Sequence, residues 1–238
     1  MVLVEPRNPL NIGAAARAMS NFGFTDLRLV NPYDLAFREA RSAVRSHYIL
    51  EQARVCASVA EAIADAHLVI GTTAARSKDQ RGHRDLHAPL YPLEAAAQLV
   101  VEQPPQHTVA LLFGSEKFGL SNEQMSHCHW LLHIPTRDEH ASMNLGQAVA
   151  ICLYELRRNP AREAQRFPSP DLLSGENRER FTALLLEALH LSGYVPQRAS
   201  ASAELKLRRL ILRLGLPASD AETWLGMLRQ ILWKLKQE

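Results

Sequence analysis

The sequence predicts an α/β fold, with a mostly parallel β-sheet covered by helices on both faces and a small all-helical C-terminal extension. Two patterns in the 238 residues lead to this prediction. Short apolar runs alternate with helical stretches through the first two-thirds of the chain, as in βαβ units on a parallel sheet. The remaining third carries three amphipathic stretches in succession, which is typical of a helical bundle. We therefore expect a domain at 1–158, a linker at 159–175 and a helical extension at 176–238.

Five apolar runs are predicted to be the strands of the sheet. They are rich in Val, Leu and Ile, and they span residues 2–5, 27–31, 67–71, 109–114 and 131–135. Helices are predicted at 12–21, 59–65, 93–102 and 144–158. In such a sheet, ligands bind beyond the carboxyl ends of the strands. The segments that leave the strands are therefore where we look for a functional site.

The pattern changes after Arg158. Asn159-Pro160 ends a helix, and residues 167–175 contain the Pro, Ser and Gly that are typical of a linker. Three helices are then predicted at 176–192, 201–214 and 219–236, and Gly215 and Pro217 separate the last two. Their apolar stripes need a surface to bury against, so we expect them to form a small bundle.

Composition narrows the class of protein. Apolar residues make up 47% of the chain and charged residues 22%, which excludes a disordered chain. The net charge of +2 neither requires nor excludes a nucleic-acid partner. Cys56, Cys128 and Cys152 do not form a disulfide framework and indicate a reducing compartment. Without a signal-peptide core or a bilayer-length apolar run, we expect a soluble cytoplasmic protein.

Residues 5–17 leave the first predicted strand and enter an Ala-rich helix. Gly13 and the small residues after it allow close backbone approach, and Arg17 lies one turn further along the same face. An Arg near a helix N-terminus suits a phosphate or another anion. A well-packed helix that carries one solvated Arg explains the same pattern equally well.

Residues 111–120 form the second candidate segment. A buried strand breaks at Gly114, and a second glycine follows at Gly119, with Glu116 between them. Paired glycines allow a loop to wrap a ligand with exposed amides, and Glu116 could accept hydrogen bonds from those amides or from ligand hydroxyls. An ordinary turn is the commoner outcome for such a pattern.

The third segment runs from Ile134 to the helix at 144–158. Ser142, Met143 and Asn144 precede the buried stripe of that helix. Ser142 and Asn144 are both good helix N-caps, which is the purely structural interpretation. The functional interpretation is that this turn closes over a ligand held by the two preceding loops.

Together and in this order, the three segments resemble the SpoU/TrmH family of SPOUT RNA ribose 2′-O-methyltransferases. The resemblance covers residues 1–158, with Met143 in place of the usual Leu. The matching motif residues are Asn11, Gly13 and Arg17, then Gly114, Glu116 and Gly119, then Ser142, Met143 and Asn144. The opening run from Val4 to Gly13 and the segment from Gly71 to Arg76 are most similar to the TrmJ branch, which methylates the tRNA anticodon loop.

The resemblance implies a trefoil knot in the C-terminal half of the domain, bound S-adenosylmethionine and a homodimer whose sites are completed across the interface. It implies no metal. The catalytic group would be Arg17, Asn11, Glu116, Asn144 and Ser142. The cofactor would contact Thr72, Thr73, Ala74, Gly114, Ile134, Ser142, Met143, Asn144 and Leu145.

The implied RNA contacts are basic side chains near these motifs: Arg7, Arg17, Arg76, Lys78, Arg81 and Arg84. Residues 76–84 suit a phosphate clamp, and a solvated surface loop is the alternative. The basic residues of the predicted second C-terminal helix could add a second RNA contact surface, but they are interpreted as solvated charges of an amphipathic helix: Lys206, Arg208, Arg209 and Arg213.

The family's Arg is usually described as a base, a role that would fall on Arg17. Because a guanidinium is effectively never deprotonated in proteins, we expect it instead to bind the adjacent phosphate and stabilise developing alkoxide charge. His127, Cys128, His129 and His133 suggest a metal site, but neighbours on a strand point to opposite faces, so no metal is predicted.

Three alternatives stay open at this level. The substrate could be ribosomal RNA, or the chain could be an RNA-binding module with a vestigial cofactor pocket. A dinucleotide-binding oxidoreductase is disfavoured because no G-x-G-x-x-G follows the first strand.

Overall fold

The computed structural model describes residues 1–34, 37, 47–74, 88–137, 139, 142–158 and 172–237. Within these residues, one seven-stranded sheet is formed by β1 (Val2–Val4), β2 (Arg28–Val30), β3 (Arg54–Cys56), β4 (Leu68–Thr72), β5 (Leu90–Pro92), β6 (Val109–Phe113) and β7 (Trp130–His133). Every pair is parallel, and the order is β3-β2-β1-β6-β4-β7-β5. The predicted parallel α/β sheet is confirmed.

The helices of the described residues are α1 (Pro9–Phe22), α2 (His47–Glu51), α3 (Val59–Ala62), α4 (Leu93–Val101), α5 (Asn122–Ser126), α6 (Leu145–Arg158), α7 (Gly175–Leu191), α8 (Ser200–Leu214) and α9 (Ala221–Leu235). Helices α1, α2, α4 and α6 contribute to the apolar core on one face of the sheet. Helices α3 and α5 contribute to the core on the other face. Both faces are therefore covered, as parallel strands require.

The elements missing from the sequence-based prediction are short. β3 and β5 are three-residue strands at the two edges of the sheet, α2 and α5 are five-residue helices, and β5 ends in Pro92. Such lengths give no readable apolar period. Helix α1 also begins earlier than predicted, because the Asn8 side chain accepts a hydrogen bond from the Leu10 amide and Pro9 occupies the first turn.

The order of the strands brings the candidate segments together. β1, β6, β4 and β7 are consecutive neighbours in the sheet, although they are far apart in the chain. All four run in the same direction, so the segments after Val4, Phe113, Thr72 and His133 leave from the same edge. The trefoil knot and the domain boundaries at 158 and 175 stay predictions.

The C-terminal helices pack around α7 and have a small core of their own, made by Phe181, Ile211, Leu225 and Leu228.

No helix in the described part of the chain is long and apolar enough to cross a membrane.

These helices dock on the sheet domain through buried polar groups. Arg178 donates to the carbonyls of Ala66 (3.0 Å), His67 (3.1 Å) and Leu173, and burial lowers the pKa of its guanidinium to about 10. Arg208 is 8% exposed, pairs with Glu179 at 2.9 Å and donates to the Ser126 hydroxyl at 3.3 Å. The interpretation of Arg208 as a solvated charge is therefore wrong, because this side chain is part of the junction.

Two of the histidines that suggested a metal site, His127 and His129, have internal partners, whereas the buried His133 Nδ1 has no hydrogen-bond partner among the described residues. His127 lies 3.2 Å from both Glu123 and Glu179; burial alone would lower its pKa, but the two carboxylates raise it. His129 Nδ1 accepts the Val69 amide at 3.0 Å. Among the residues described, no cluster of three or more His, Cys, Asp or Glu side chains could hold a metal. Cys56, Cys128 and Cys152 are buried free thiols.

Candidate active site

A cavity of about 280 Å³ opens at the strand-exit edge of the sheet. Its walls come from three places: the end of β4, the loop after β6 and the segment between β7 and α6. They include Thr72, Thr73, Ala74, Gly114, Ile134, Ser142, Met143 and Leu145, all of which were predicted to contact a cofactor. Asn144 does not line the cavity and lies in the turn beside it.

Two larger hollows of about 430 and 370 Å³ lie along the C-terminal helices. One is lined by α7 and α8, and the other lies at the opposite edge of the sheet, where β4 and β7 begin. Neither is lined by a residue of the three motifs, and size alone does not define a site. The cavity at the strand ends is the candidate because residues of the second and third motifs line it. Asn11, Gly13 and Arg17 of the first motif do not line it, and Asn11 is joined to it through hydrogen bonds.

Glu116 connects the second motif to the first. Its carboxylate accepts hydrogen bonds from the backbone amides of Arg7 (3.1 Å) and Asn8 (3.0 Å) and from the side-chain amide of Asn11 (3.0 Å). These donors belong to the first motif, whereas the partners considered from the sequence were amides of the two-glycine loop or ligand hydroxyls. Glu116 therefore ties the loop after β6 to the start of α1.

Asn11 and Asn144 extend this connection to the third motif. Asn11 Oδ1 accepts from Asn144 Nδ2 at 2.8 Å, and Asn144 Oδ1 accepts from the Gln147 amide at 3.3 Å. A carboxylate only accepts, so Glu116 fixes which way the Asn11 amide faces, and Asn11 in turn fixes Asn144. We call this chain of hydrogen bonds, Glu116–Asn11–Asn144, the amide relay. Asn144 therefore caps α6, as the structural interpretation of its turn proposes, and it also joins the third motif to the first.

The ionisation of Glu116 follows from these contacts. Burial alone would raise its pKa, but the hydrogen bond from Asn11 and those from backbone amides outweigh burial, and the pKa lies below its ordinary value. The carboxylate is therefore ionised at neutral pH. Because the folded-state pKa is depressed, the stabilisation is present above the ordinary Glu pKa and is lost as pH falls through the folded value.

Two glycines shape the loop that carries Glu116. A Cβ on Gly114 would lie 2.0 Å from the Gly119 carbonyl carbon and 2.2 Å from the Leu120 nitrogen, so only glycine fits there. Gly119 has a φ of 67°, the left-handed region that favours glycine, and its amide donates to the Ser115 carbonyl at 2.8 Å. The loop is a closed turn whose backbone forms one wall of the cavity.

The basic residues predicted to contact RNA fall into two groups. Arg7 and Arg17 are exposed, Arg7 beside the Glu116 loop and Arg17 on the outer face of α1. Arg76, Lys78, Arg81 and Arg84 lie outside the described residues.

Helices α1 and α6 run side by side in the same direction. Ala14 lies beside Gly146, and Phe22 makes an edge contact with Tyr154, at equal spacing along the two helices. A Cβ on Gly146 would lie 2.6 Å from Ala14 Cβ, so the glycine permits this close approach. Gly13 of α1 is also buried. The close packing of α1 against α6 places Asn11 and Asn144 within hydrogen-bonding distance.

Several site residues were missed from the sequence. Glu5 follows β1 with a φ of 52° and accepts from Gln124 Nε2 at 3.0 Å, which ties the start of the first motif to α5. Lys117, Phe118 and Leu120 line the cavity beside the predicted Gly114. No local sequence pattern identifies Glu5 as a site residue. Lys117 and Phe118 could have been predicted, because they lie between the two glycines of a candidate ligand-binding loop.

The chain is similar to known proteins. A model of the SpoU rRNA methylase family matches residues 1–154. The chain belongs to the SpoU methylase family. The matched region runs from β1 into α6 and contains all three motifs.

Relatives within the SpoU methylase family match nearly the whole chain. A tRNA (cytidine/uridine-2′-O-)-methyltransferase TrmJ of Yersinia pestis (strain Pestoides F) is 32% identical over 97% of this chain and 90% of its own. A tRNA (cytidine-2′-O-)-methyltransferase TrmJ of Methanocaldococcus jannaschii is 31% identical over 94% and 95%. The crystal structure of TrmJ from Z. mobilis ZM4 superposes with a TM-score of 0.80 at 32% identity, covering 97% of each chain.

Replacing Asn11 by Asp tests the amide relay in this SpoU methylase. The variant loses the donor to Glu116 and places a second carboxylate about 3 Å from the first. We expect the free energy of unfolding at pH 7 to fall by about 1–3 kcal/mol. One carboxyl of the pair then has a raised pKa, so the deficit should shrink as pH falls below about 4.5, where a shared proton restores a donor.

Denaturant melts of the wild type and the variant from pH 7 to pH 4 make the measurement. Asn21→Asp is the matched control, because it introduces the same charge at an exposed position of the same helix. Equal losses in the two variants, or a deficit that does not change with pH, would contradict the relay.

Proposed function

We propose that the protein transfers a methyl group from S-adenosylmethionine to the ribose 2′-hydroxyl of a pyrimidine in the anticodon loop of tRNA. One geometric observation carries the proposal: the amide relay joins three distant motifs around a single cavity at the strand ends. Membership in the SpoU methylase family supports the reaction class. A tRNA substrate also implies that the protein acts in the cytoplasm.

The relatives support tRNA over ribosomal RNA. Their names specify 2′-O-methylation of cytidine, or of cytidine and uridine, in tRNA. The likeness to the Z. mobilis protein covers 97% of the chain, so it continues through α7, α8 and α9. The family model that names rRNA ends at residue 154, before these helices.

The cavity has properties that suit S-adenosylmethionine. Its volume is close to the lower end of small-molecule sites, and Leu132, Ile134 and Leu145 provide apolar contact. Gly114 allows the loop backbone to approach closely. We assign the cofactor to these apolar residues and Gly114, together with Thr72, Thr73, Ala74, Ser142 and Met143. We assign Asn144 to stabilising the turn that precedes α6.

S-adenosylmethionine would supply a methyl group already activated by the positive sulfonium. The chain then has to position the ribose for attack on that methyl group and to assist the loss of the proton from the 2′-hydroxyl. Glu116 is poorly suited to accept that proton, because three donors already satisfy it and keep its pKa low. We assign Glu116, Asn11 and Asn144 to positioning the site and Ser142 to the cofactor side of the cavity.

Arg17 is the residue assigned to the reacting hydroxyl. Its exposed guanidinium lies on the helix that begins with the first motif. Since it stays protonated, it would bind the phosphate beside the target ribose and stabilise negative charge as it develops on the 2′-oxygen. Arg7 would add a further phosphate contact beside the loop.

We also propose a homodimer. The paired helices α1 and α6 expose Leu10, Ile151 and Tyr154, which are large apolar side chains on the same side as Arg17. Burying such a surface against a second copy would be favourable. The partner would then approach Arg17 and complete the site.

The proposed function is tested with purified protein, S-adenosylmethionine and unmodified tRNA transcripts. Mass spectrometry of the digested RNA should find 2′-O-methylcytidine or 2′-O-methyluridine at one anticodon-loop position. A transcript with a 2′-deoxy nucleotide there is the matched control and should stay unmethylated.

Two results would contradict the proposal. Calorimetry that shows no heat with S-adenosylmethionine would indicate a vestigial pocket. Methylation of ribosomal RNA fragments without methylation of tRNA would assign the enzyme to a different substrate.

A further inference from the structure

Phe118 is a large aromatic side chain displayed in solvent at the lip of the cavity. It is 76% exposed although it lines the same cavity as Gly114 and Ser142. A phenylalanine at a loop tip gains nothing from this position in the isolated chain, because its apolar surface stays in water. The fold itself exposes the ring, because hydrogen bonds hold the backbone of the loop that carries it.

The loop holds Phe118 in place from both sides. Glu116, two residues earlier, is anchored by three hydrogen bonds to the first motif. Gly119, the next residue, closes the turn onto Ser115. The ring is therefore presented on a rigid backbone, which lowers the entropic cost of binding.

A positive charge lies beside the ring. Lys117 Nζ lies 5.0 Å from the centre of the Phe118 ring. Arg7 is exposed, and its backbone amide binds the carboxylate of the same loop. An aromatic face flanked by cations is the arrangement with which proteins bind single-stranded nucleic acid, where bases stack and phosphates pair with Lys or Arg.

We propose that Phe118 and Lys117 form a nucleotide-binding site next to the cavity, in which Phe118 stacks on an unpaired RNA base and Lys117 binds a backbone phosphate. This proposal rests on the proposed function, because it takes the ligand to be the RNA substrate. The stacked base lies beside the target nucleotide, so the site fixes the register in which the RNA loop is presented.

Two other occupants of the ring are considered. The cofactor would not need a residue that extends so far into solvent. A second copy of the chain would be drawn to the apolar side chains of α1 and α6, whereas Lys117 stands beside Phe118 and its charge would repel the same residue of a symmetric partner. A polyanion is favoured by this cation and by the exposed Arg7 on the segment bound to the loop.

The test compares Phe118→Ala, Phe118→Leu and Phe118→Tyr in the full chain. Affinity for an anticodon stem-loop RNA is measured without cofactor, and affinity for S-adenosylmethionine is measured without RNA. We expect Phe118→Ala and Phe118→Leu to weaken RNA binding by about 10- to 100-fold and Phe118→Tyr to retain it. Because Phe118 also lines the cavity, cofactor affinity should fall much less than RNA affinity, and the dimer mass should stay at the wild-type value.

Lys117→Gln provides an independent measurement of the phosphate contact. The slope of log affinity against log salt should become shallower by about one unit, in line with the loss of one phosphate contact.

Each contrary result points to a different error. RNA affinity unchanged in Phe118→Ala overturns the inference, as does retention of RNA binding in Phe118→Leu at the level of Phe118→Tyr. Loss of cofactor affinity alone assigns the ring to the cavity wall, and loss of dimer mass assigns it to a protein interface; both overturn it. Because RNA binding is measured without turnover, these outcomes are separate from failure of the wild type to methylate tRNA.

Discussion

Gly114→Ala is expected to weaken binding of S-adenosylmethionine by about two orders of magnitude. The added Cβ would lie 2.0 Å from the carbonyl carbon of Gly119 and 2.2 Å from the nitrogen of Leu120. These are backbone atoms, so the clash can be relieved only by moving the loop that forms a wall of the cavity. An overpacking cost of about 3 kcal/mol corresponds to a loss in affinity on the order of 100-fold. Isothermal titration calorimetry with S-adenosylmethionine gives the measurement.

Gly119→Ala is the matched control in the same loop. The Cβ of this variant would have no atom within 4 Å, so it meets no steric obstacle. Its φ of 67° costs a non-glycine residue only about 1–2 kcal/mol. We expect weakened but measurable cofactor binding, with Gly114→Ala clearly the more damaging change. If both variants bind equally well, or if Gly119→Ala is the worse, the loop does not form the cofactor wall.

Arg17→Ala is expected to lower kcat by about 100- to 1000-fold, the loss seen when one donor to a developing oxyanion is removed. Arg17 is exposed on α1 and does not line the cavity, so affinity for S-adenosylmethionine should be nearly unchanged. Single-turnover methylation of tRNA, with calorimetry of the cofactor alongside, separates the two effects.

Asn21→Ala is the control for Arg17, since Asn21 is exposed one helical turn further along α1. It should retain wild-type turnover. Arg17→Lys keeps the charge but loses the planar fork, so we expect it to recover only part of the rate. A collapse of cofactor affinity in Arg17→Ala would mean that Arg17 supports the cavity and does not act on the ribose.

Much of the fold was readable from the sequence because buried strands and amphipathic helices leave periodic apolar patterns. The five strands of the prediction all exist, since runs such as Val109–Phe113 are buried on both faces of the sheet. The edge strands Arg54–Cys56 and Leu90–Pro92 were missed because three residues at a half-exposed edge carry no such pattern. The motif residues were also readable, but only as a set in a fixed order.

The role of each motif residue was much less accessible. Glu116 was recognised as an acceptor, but its partners Arg7, Asn8 and Asn11 lie more than a hundred residues away in the chain. Arg208 was interpreted as a solvated charge, because a basic residue on an amphipathic helix looks the same whether it faces water or a half-buried carboxylate. The junction with Glu179 and Ser126 was needed to reveal its place.

The sequence by itself determined the parallel α/β class, the three C-terminal helices and the three turns that we propose as parts of the site. Those properties depend on local periodicity and on which residue types stand at strand ends. Only the tertiary structure decided that the second and third turns line one cavity, and that the first turn is joined to both through the relay of Glu116, Asn11 and Asn144. It also decided that Phe118 stands exposed at the lip of that cavity. These facts depend on the strand order β1-β6-β4-β7, which brings distant segments to one edge through non-local contacts.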